Sequence, residues 1–201
     1  MSVEEKKLLF IVSGPSGVGK STLCRHILQH MPDIRLSVSC TTRPPRSGET
    51  DGKEYRFITE EEFRQKIAEH AFAEWAEVYG RLYGTPWKEL EQESGSHTDI
   101  LLDIDVQGAR QVMKTLKMAV TIFIFPPSLD ILRTRLAGRG TDSPEEQARR
   151  FQKAKDEMNR YTEYDYTIRN ETLDRAIQEL QAVMVAERVR TTHVDPAKVF
   201  R

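Results

Sequence analysis

The chain has few of the residues that build cofactor-independent chemistry or covalent scaffolds. Among 201 residues there are only two cysteines, Cys24 and Cys40. Neither belongs to a CxxC spacing, so no thiolate metal site or redox pair is encoded. Two small reduced thiols in or near a core is the default for such a chain. The five histidines (His26, His30, His70, His97 and His193) show no ligand spacing beyond His26 and His30 at i, i+4, a solvated pair on a polar helix face. No Ser/His/Asp or Cys/His arrangement suggests a side-chain nucleophile. No apolar run approaches the roughly 18–20 residues of a membrane span. The segment before the first apolar run lacks a signal-peptide core, which points to a cytoplasmic protein. Net charge is −1, so no global field favours nucleic acid or an anionic membrane. There is no internal repeat and no low-complexity tract. Hydrophobic residues at 38% suffice for a core, and charged residues at 30% suit a solvated surface.

What the chain does have is Gly14-Pro15-Ser16-Gly17-Val18-Gly19-Lys20-Ser21, a complete G-x-x-x-x-G-K-[ST] loop, followed by Thr22. Its glycines let the backbone curl so that N–H groups point at phosphate oxygens. Lys20 reaches β- and γ-phosphates, and the Ser21 hydroxyl can ligate Mg²⁺. The apolar run Leu8–Val12 precedes it and a helical pattern, Ser21–His30, follows. A strand, this loop and a helix N-terminus form an anion site.

Further on, strand-like and helical segments alternate: Ile100–Ile104, Val106–Lys117, Ala119–Phe125, Ser128–Ala137, Pro144–Tyr161, Tyr166–Ile168 and Leu173–Arg188. Such alternation argues an α/β fold: a P-loop parallel sheet flanked by helices. Two stretches break the rhythm. Between about Ile34 and Ser96 lie short β-like pieces (Leu36–Cys40, Glu54–Ile58, Ala76–Tyr79) and two short helices, one announced by a capping box at Thr59 and Glu62. This reads as a small α+β insertion. Gly138–Pro144, with two glycines and a proline, reads as an exposed hinge-capable loop. The expected division is 1–33, 97–137 and 162–201 as core, 34–96 as insertion, and 138–161 as a short lid with its following helix.

Several side chains are candidates for chemistry. Asp103 and Asp105 end an apolar strand, where α/β sheets face their ligand, and Asp103 can complete the Mg²⁺ site opposite Ser21. Asp105 either joins it or caps the next helix. Arg43 and Arg46 flank a stiff Pro44-Pro45 turn and offer two guanidinium forks to a second phosphate group, with Tyr55 downstream. Glu74, between Phe72 and Trp75, is a partly buried carboxylate. Its partly buried position favours a site role over that of a surface helix acid.

The ordered set Ser37–Glu49, Asp51-Gly52-x-x-Tyr55, Phe72–Ala76, Tyr83-Gly84-Thr85, Leu102–Gly108 and Gly138–Thr141 resembles the guanylate kinases over nearly the whole chain, from Leu8 to about Arg188. The resemblance implies a transferase of purine nucleotide metabolism with ATP as donor, GMP as acceptor and Mg²⁺ as the ATP-bound ion. It places Ser39, Glu74, Thr85 and Asp103 on the guanine ring and Arg43, Arg46, Tyr55 and Tyr83 on the GMP phosphate. Arg135, Arg139 and Arg150 fall where arginines reach the transferring phosphoryl group, and Asn170 falls near the adenine. The family often has Asn-Asp where this chain has Asn170-Glu171. Two other readings share the scaffold. A kinase of another small phosphate, such as a ribose bisphosphate, has no use for Ser39, Glu74 and Thr85. A non-catalytic binding module of the same fold often loses the loop lysine, which is intact here. The implied partners are the small-molecule substrates ATP and GMP, with neither nucleic acid nor membrane.

Overall fold

The computed structural model describes residues 7–91, 98–137 and 144–193. In chain order the elements are β1 (Leu9–Ser13), α1 (Lys20–His30), β2 (Ile34–Leu36), β3 (Cys40–Thr41), β4 (Arg56–Phe57), α2 (Glu60–Ala68), β5 (Phe72–Val78), β6 (Arg81–Pro86), α3 (Trp87–Leu90), β7 (Asp99–Asp103), α4 (Val106–Thr115), β8 (Val120–Phe125), α5 (Leu129–Ala137), α6 (Pro144–Met158), β9 (Tyr166–Arg169) and α7 (Leu173–Arg188). The chain divides into two compact units. The described residues of the first are 7–35, 98–106, 118–137 and 144–193; those of the second are 36–91 and 107–117.

The first unit is built on a five-stranded sheet in the order β2-β7-β1-β8-β9. β1 runs parallel to both neighbours, pairing Ile11 with Leu102 on one side and Thr121 on the other. β8 and β9 are also parallel. Parallel strands covered on both faces lose alternation, and β1 and β8 are accordingly buried along almost their whole length. Leu23, Cys24 and Ile27 bury one side of α1, and Ala176, Leu180 and Met184 recur at i, i+4, i+8 on α7. These two helices pack on each other. From β1 the chain leaves through α1 towards β2, whereas from β8 it leaves through α5 and α6 towards β9, on the other side. The carboxyl ends of β1 and β8 therefore flank a topological switch point, where open α/β sheets bind ligands.

The second unit carries a four-stranded sheet in the order β4-β3-β6-β5. β5 and β6 form an antiparallel hairpin across Tyr79 and Gly80, whose φ values of 52° and 70° are those of a two-residue type I′ turn. The expected strand Ala76–Tyr79 is thus only the end of β5. β6 was not expected at all, because Gly84 and Pro86 weaken its strand signal. The expected strand Leu36–Cys40 is also two strands: Ile34–Leu36 joins the first sheet and Cys40–Thr41 the second. The capping box forms as expected. Thr59 accepts from the Glu62 amide at 3.2 Å, and the Glu62 carboxylate accepts from the Thr59 amide at 2.8 Å. Cys40, Phe63, Phe72 and Leu82 make the small core, with Phe63 and Phe72 stacked 4.5 Å apart between ring centroids. Along β5 the period of two puts Phe72, Glu74 and Ala76 on the buried side and leaves Trp75 40% exposed. At Trp75 the Gln111 side chain of α4 completes β5's hydrogen bonding, accepting from its amide at 3.2 Å and donating to its carbonyl at 2.6 Å.

Phe63→Ala is expected to destabilise the protein by about 3–5 kcal/mol, because so small a core has few side chains to fill the cavity. Urea unfolding measures this, and a loss below about 1 kcal/mol would contradict it.

Candidate active site

Glycine conformations shape the loop at the end of β1. Gly14, Gly17 and Gly19 have φ values of 143°, 88° and 98°, where side-chain-bearing residues are strained. Side-chain donors reach four of the loop's carbonyls. Lys20 Nζ donates to Gly14 O at 2.7 Å and Pro15 O at 3.3 Å. Arg135 NH1 donates to Val18 O at 3.4 Å and approaches Gly17 O at 3.5 Å. Asn170 Nδ2, buried at the end of β9, donates to Val18 O at 2.8 Å. The fit is tight: a Cβ on Gly19 would lie 2.6 Å from that nitrogen. Pro15 leads into a turn at Ser16 and Gly17, and Thr22 lies exposed in the first turn of α1.

Ser21 Oγ donates to Asp103 Oδ2 at 2.6 Å. β1 and β7 are adjacent, with Val12 opposite Asp103, which is why residues 82 apart in sequence meet. A hydroxyl and a carboxylate are hard oxygen donors of the kind Mg²⁺ takes when it keeps waters and phosphates as its other ligands. Among the described residues no group of three or more His, Cys, Asp or Glu could cage a metal alone. The residues present therefore fit a nucleotide-borne magnesium ion.

Glu157 and Cys24 both feel the charge of the loop lysine, Lys20. Burial raises the Glu157 carboxyl to about 6; Lys153 opposes the rise, and the charge of Asp105 adds to it. Burial also pushes the Cys24 thiol up, reinforced by Asp103, so it stays an uncharged core group. Arg150, on α6, pairs with Glu146 at 3.6 Å. Arg139 lies outside the described residues, as does the loop expected to hinge the lid. His26 and His30 stack with centroids 6.3 Å apart on the exposed side of α1, the solvated pair expected.

In the second unit a buried polar chain runs from strand to strand. Thr85 Oγ1 donates to Glu74 Oε1 at 2.6 Å, and the Ser39 hydroxyl lies 3.0 Å from Thr85 Oγ1. All three residues are buried. The arrangement follows from register, since Glu74 on β5 is paired directly with Thr85 on β6. Asp103, expected with them on the base, belongs to the first unit beside Ser21. In the same second unit Arg43 stands over the Tyr55 and Phe57 rings, 5.5 and 5.7 Å from their centroids, and Tyr55 meets Tyr83 edge-on at 5.9 Å. Arg46 is exposed. Sequence reasoning gave no role to Gln111 or to Glu49, the partner of Arg43; neither carries a local signal.

A buried strand, a glycine-shaped amide loop, a lysine, and a hydroxyl paired with a strand-end carboxylate define a P-loop phosphotransferase. The comparisons with known proteins narrow the class. The family model of guanylate kinase matches residues 6–187. A guanylate kinase of Symbiobacterium thermophilum is 51% identical over 191 residues, spanning 95% of this chain and 90% of that protein. One from Caldanaerobacter subterraneus subsp. tengcongensis is 45% identical over 190 residues, spanning 94% and 92%. The crystal structure of guanylate kinase from Anaplasma phagocytophilum superposes with a TM-score of 0.80 at 32% identity, covering 98% of this chain and 94% of that one. The chain belongs to the guanylate kinase family.

Asn170→Asp replaces the donor facing Val18 O with a second acceptor while keeping an oxygen that an adenine amino group could use. It is expected to lower the thermal midpoint of the nucleotide-free protein, since an abandoned buried acceptor costs about 1–3 kcal/mol. It is also expected to lower kcat/KM for ATP and GTP by the same factor. A changed ATP-to-GTP preference would place Asn170 on the base instead.

Proposed function

We propose that this chain transfers the γ-phosphoryl group of MgATP to GMP, giving ADP and GDP. The observation that carries the reading is the buried Ser39–Thr85–Glu74 chain. A phosphate loop needs cations and amides, not a carboxylate sunk in a second sheet. Burying a carboxylate is costly unless partners satisfy it. Thr85 supplies one such partner to Glu74, and guanine's N1–H and N2–H₂ are donors of the kind a carboxylate accepts. A ribose phosphate presents no such edge.

The roles follow from charge. The loop amides and Lys20 grip the β- and γ-phosphates. Ser21 and Asp103 hold the magnesium ion, which when bound neutralises phosphate charge. Arg43, Arg46, Tyr55 and Tyr83 hold the GMP phosphate, whose oxygen attacks the γ-phosphorus in line as ADP leaves. Arg135, Arg139 and Arg150 offset the negative charge that spreads over the transferring group. No side-chain nucleophile takes part. We also place the chain in the cytoplasm. The support is two free, buried cysteines and, among the described residues, no helix long and apolar enough to cross a membrane.

Glu74→Gln tests the base-reading step, because it keeps the size but sets a donor against guanine's own donors. It is expected to cost GMP several kcal/mol in kcat/KM. IMP, which lacks the 2-amino group, should lose less, so the GMP-to-IMP preference narrows. If both substrates lose activity equally, Glu74 is a structural acid and the base is read elsewhere.

A further inference from the structure

Glu49 divides its carboxylate between the two arginines assigned to the GMP phosphate. Oε1 accepts from Arg43 NH2 at 2.8 Å, and Oε2 accepts from the Arg46 backbone amide at 2.7 Å. The Glu49 amide returns to Arg46 O at 3.1 Å, closing a turn. Gly48 makes that turn possible, since its φ of 85° is the left-handed conformation needed at the third position. Upstream, Thr41 Oγ1 bridges the Leu82 carbonyl at 3.0 Å and the Arg43 amide at 3.1 Å, tying the start of the segment to β6.

The Arg43–Glu49 pair differs from an ordinary surface ion pair. The two side chains are only 12% and 16% exposed, so water screens them weakly. Burial would raise the Glu49 pKa, but the hydrogen bonds from Arg43 and the Arg46 amide outweigh it and hold the group below its usual range. Arg43 NH1 also donates to Pro44 O at 2.6 Å, and its guanidinium rests over two aromatic rings. A guanidinium has five donors in a rigid plane. Glu49 and Pro44 O take one each and Tyr83 also interacts with the group, which fixes the plane and leaves the remaining N–H groups for a ligand. Arg46 differs: its backbone is pinned, while its guanidinium makes no hydrogen bond among the described residues.

We propose that Glu49 is a positioning residue for monophosphate recognition: it presets the Arg43 fork and the Arg46 backbone so that the phosphate of GMP meets an already oriented pair. The inference rests on the reading that Arg43 binds the GMP phosphate. An arginine fixed before binding loses less side-chain entropy when the ligand arrives, and that saving appears as affinity for GMP alone. The opposite role is physically possible for a carboxylate so placed. It could stand in for the phosphate in the free protein and have to be displaced, in which case removing its charge would tighten GMP.

Steady-state kinetics of Arg43→Ala, Glu49→Gln, Glu49→Asp and the Arg43→Ala/Glu49→Gln double variant separate these. Glu49→Gln is expected to raise KM for GMP about 10-fold, the scale of one charge-assisted hydrogen bond. KM for ATP should stay unchanged, which also reports an intact fold. Glu49→Asp keeps the charge and should fall between parent and Glu49→Gln. In the double variant KM for GMP should match Arg43→Ala alone, because the glutamine amide keeps an oxygen for the Arg46 amide and the lost charge acts through Arg43. A lowered KM for GMP in Glu49→Gln, additive effects in the double variant, or equal changes in both KM values would overturn the proposal. If Arg43→Ala itself leaves KM for GMP untouched, the phosphate-binding reading fails, and the proposal fails with it.

Discussion

A loop can aim its amides at a polyphosphate only if its carbonyls are drawn the other way and held there. In this chain the carbonyls of Gly14, Pro15, Gly17 and Val18 are held by Lys20, Arg135 and Asn170. Those donors come from α1, α5 and the end of β9, so the loop depends on the whole first sheet being assembled. β9 has to pair beside β8 before Asn170 reaches Val18, 152 residues away. The same sheet sets Asp103 beside Ser21 through the β1–β7 register. Phosphate binding is therefore a property of the assembled sheet, although the motif is eight residues long.

The second unit solves a different problem. It buries a carboxylate, Glu74, and such burial is costly unless partners satisfy it. The β5–β6 register supplies a partner by putting Thr85 opposite Glu74, so a hydroxyl donates to one carboxylate oxygen. In the same unit Arg43 is paired with the Glu49 carboxylate at 2.8 Å, while the Arg46 backbone amide donates to its other oxygen.

The features legible from sequence were those whose physics is local. The loop motif, the apolar run of β1, the capping box of α2 and the stiff segment around Arg43 each declare themselves within a dozen residues. Glu74 was legible as a partly buried acid, yet its neighbours misled in detail: Phe72 shares its buried face, whereas Trp75 points to the exposed one. β6 was missed because Gly84 and Pro86 read as breakers, while pairing with β5 on one side and β3 on the other overrides them. Residues 107–117 group with the second unit, and the Gln111 side chain pairs with Trp75 from a helix whose local pattern resembles any other covering helix. Asn170 lay in a recognisable place, but its bond to Val18 depends on a strand order that no local pattern encodes.

Acceptor choice tests the central claim most directly, because a phosphate loop alone is indifferent to the base. ADP formation from MgATP can be followed with GMP, AMP, CMP and UMP in turn. A site that hydrogen-bonds a substrate group rejects analogues lacking it by roughly 10⁴–10⁵-fold. Rapid turnover with GMP and a rate at least about a thousandfold lower with AMP is the expected result. Comparable turnover with AMP, or turnover with AMP and none with GMP, would contradict it.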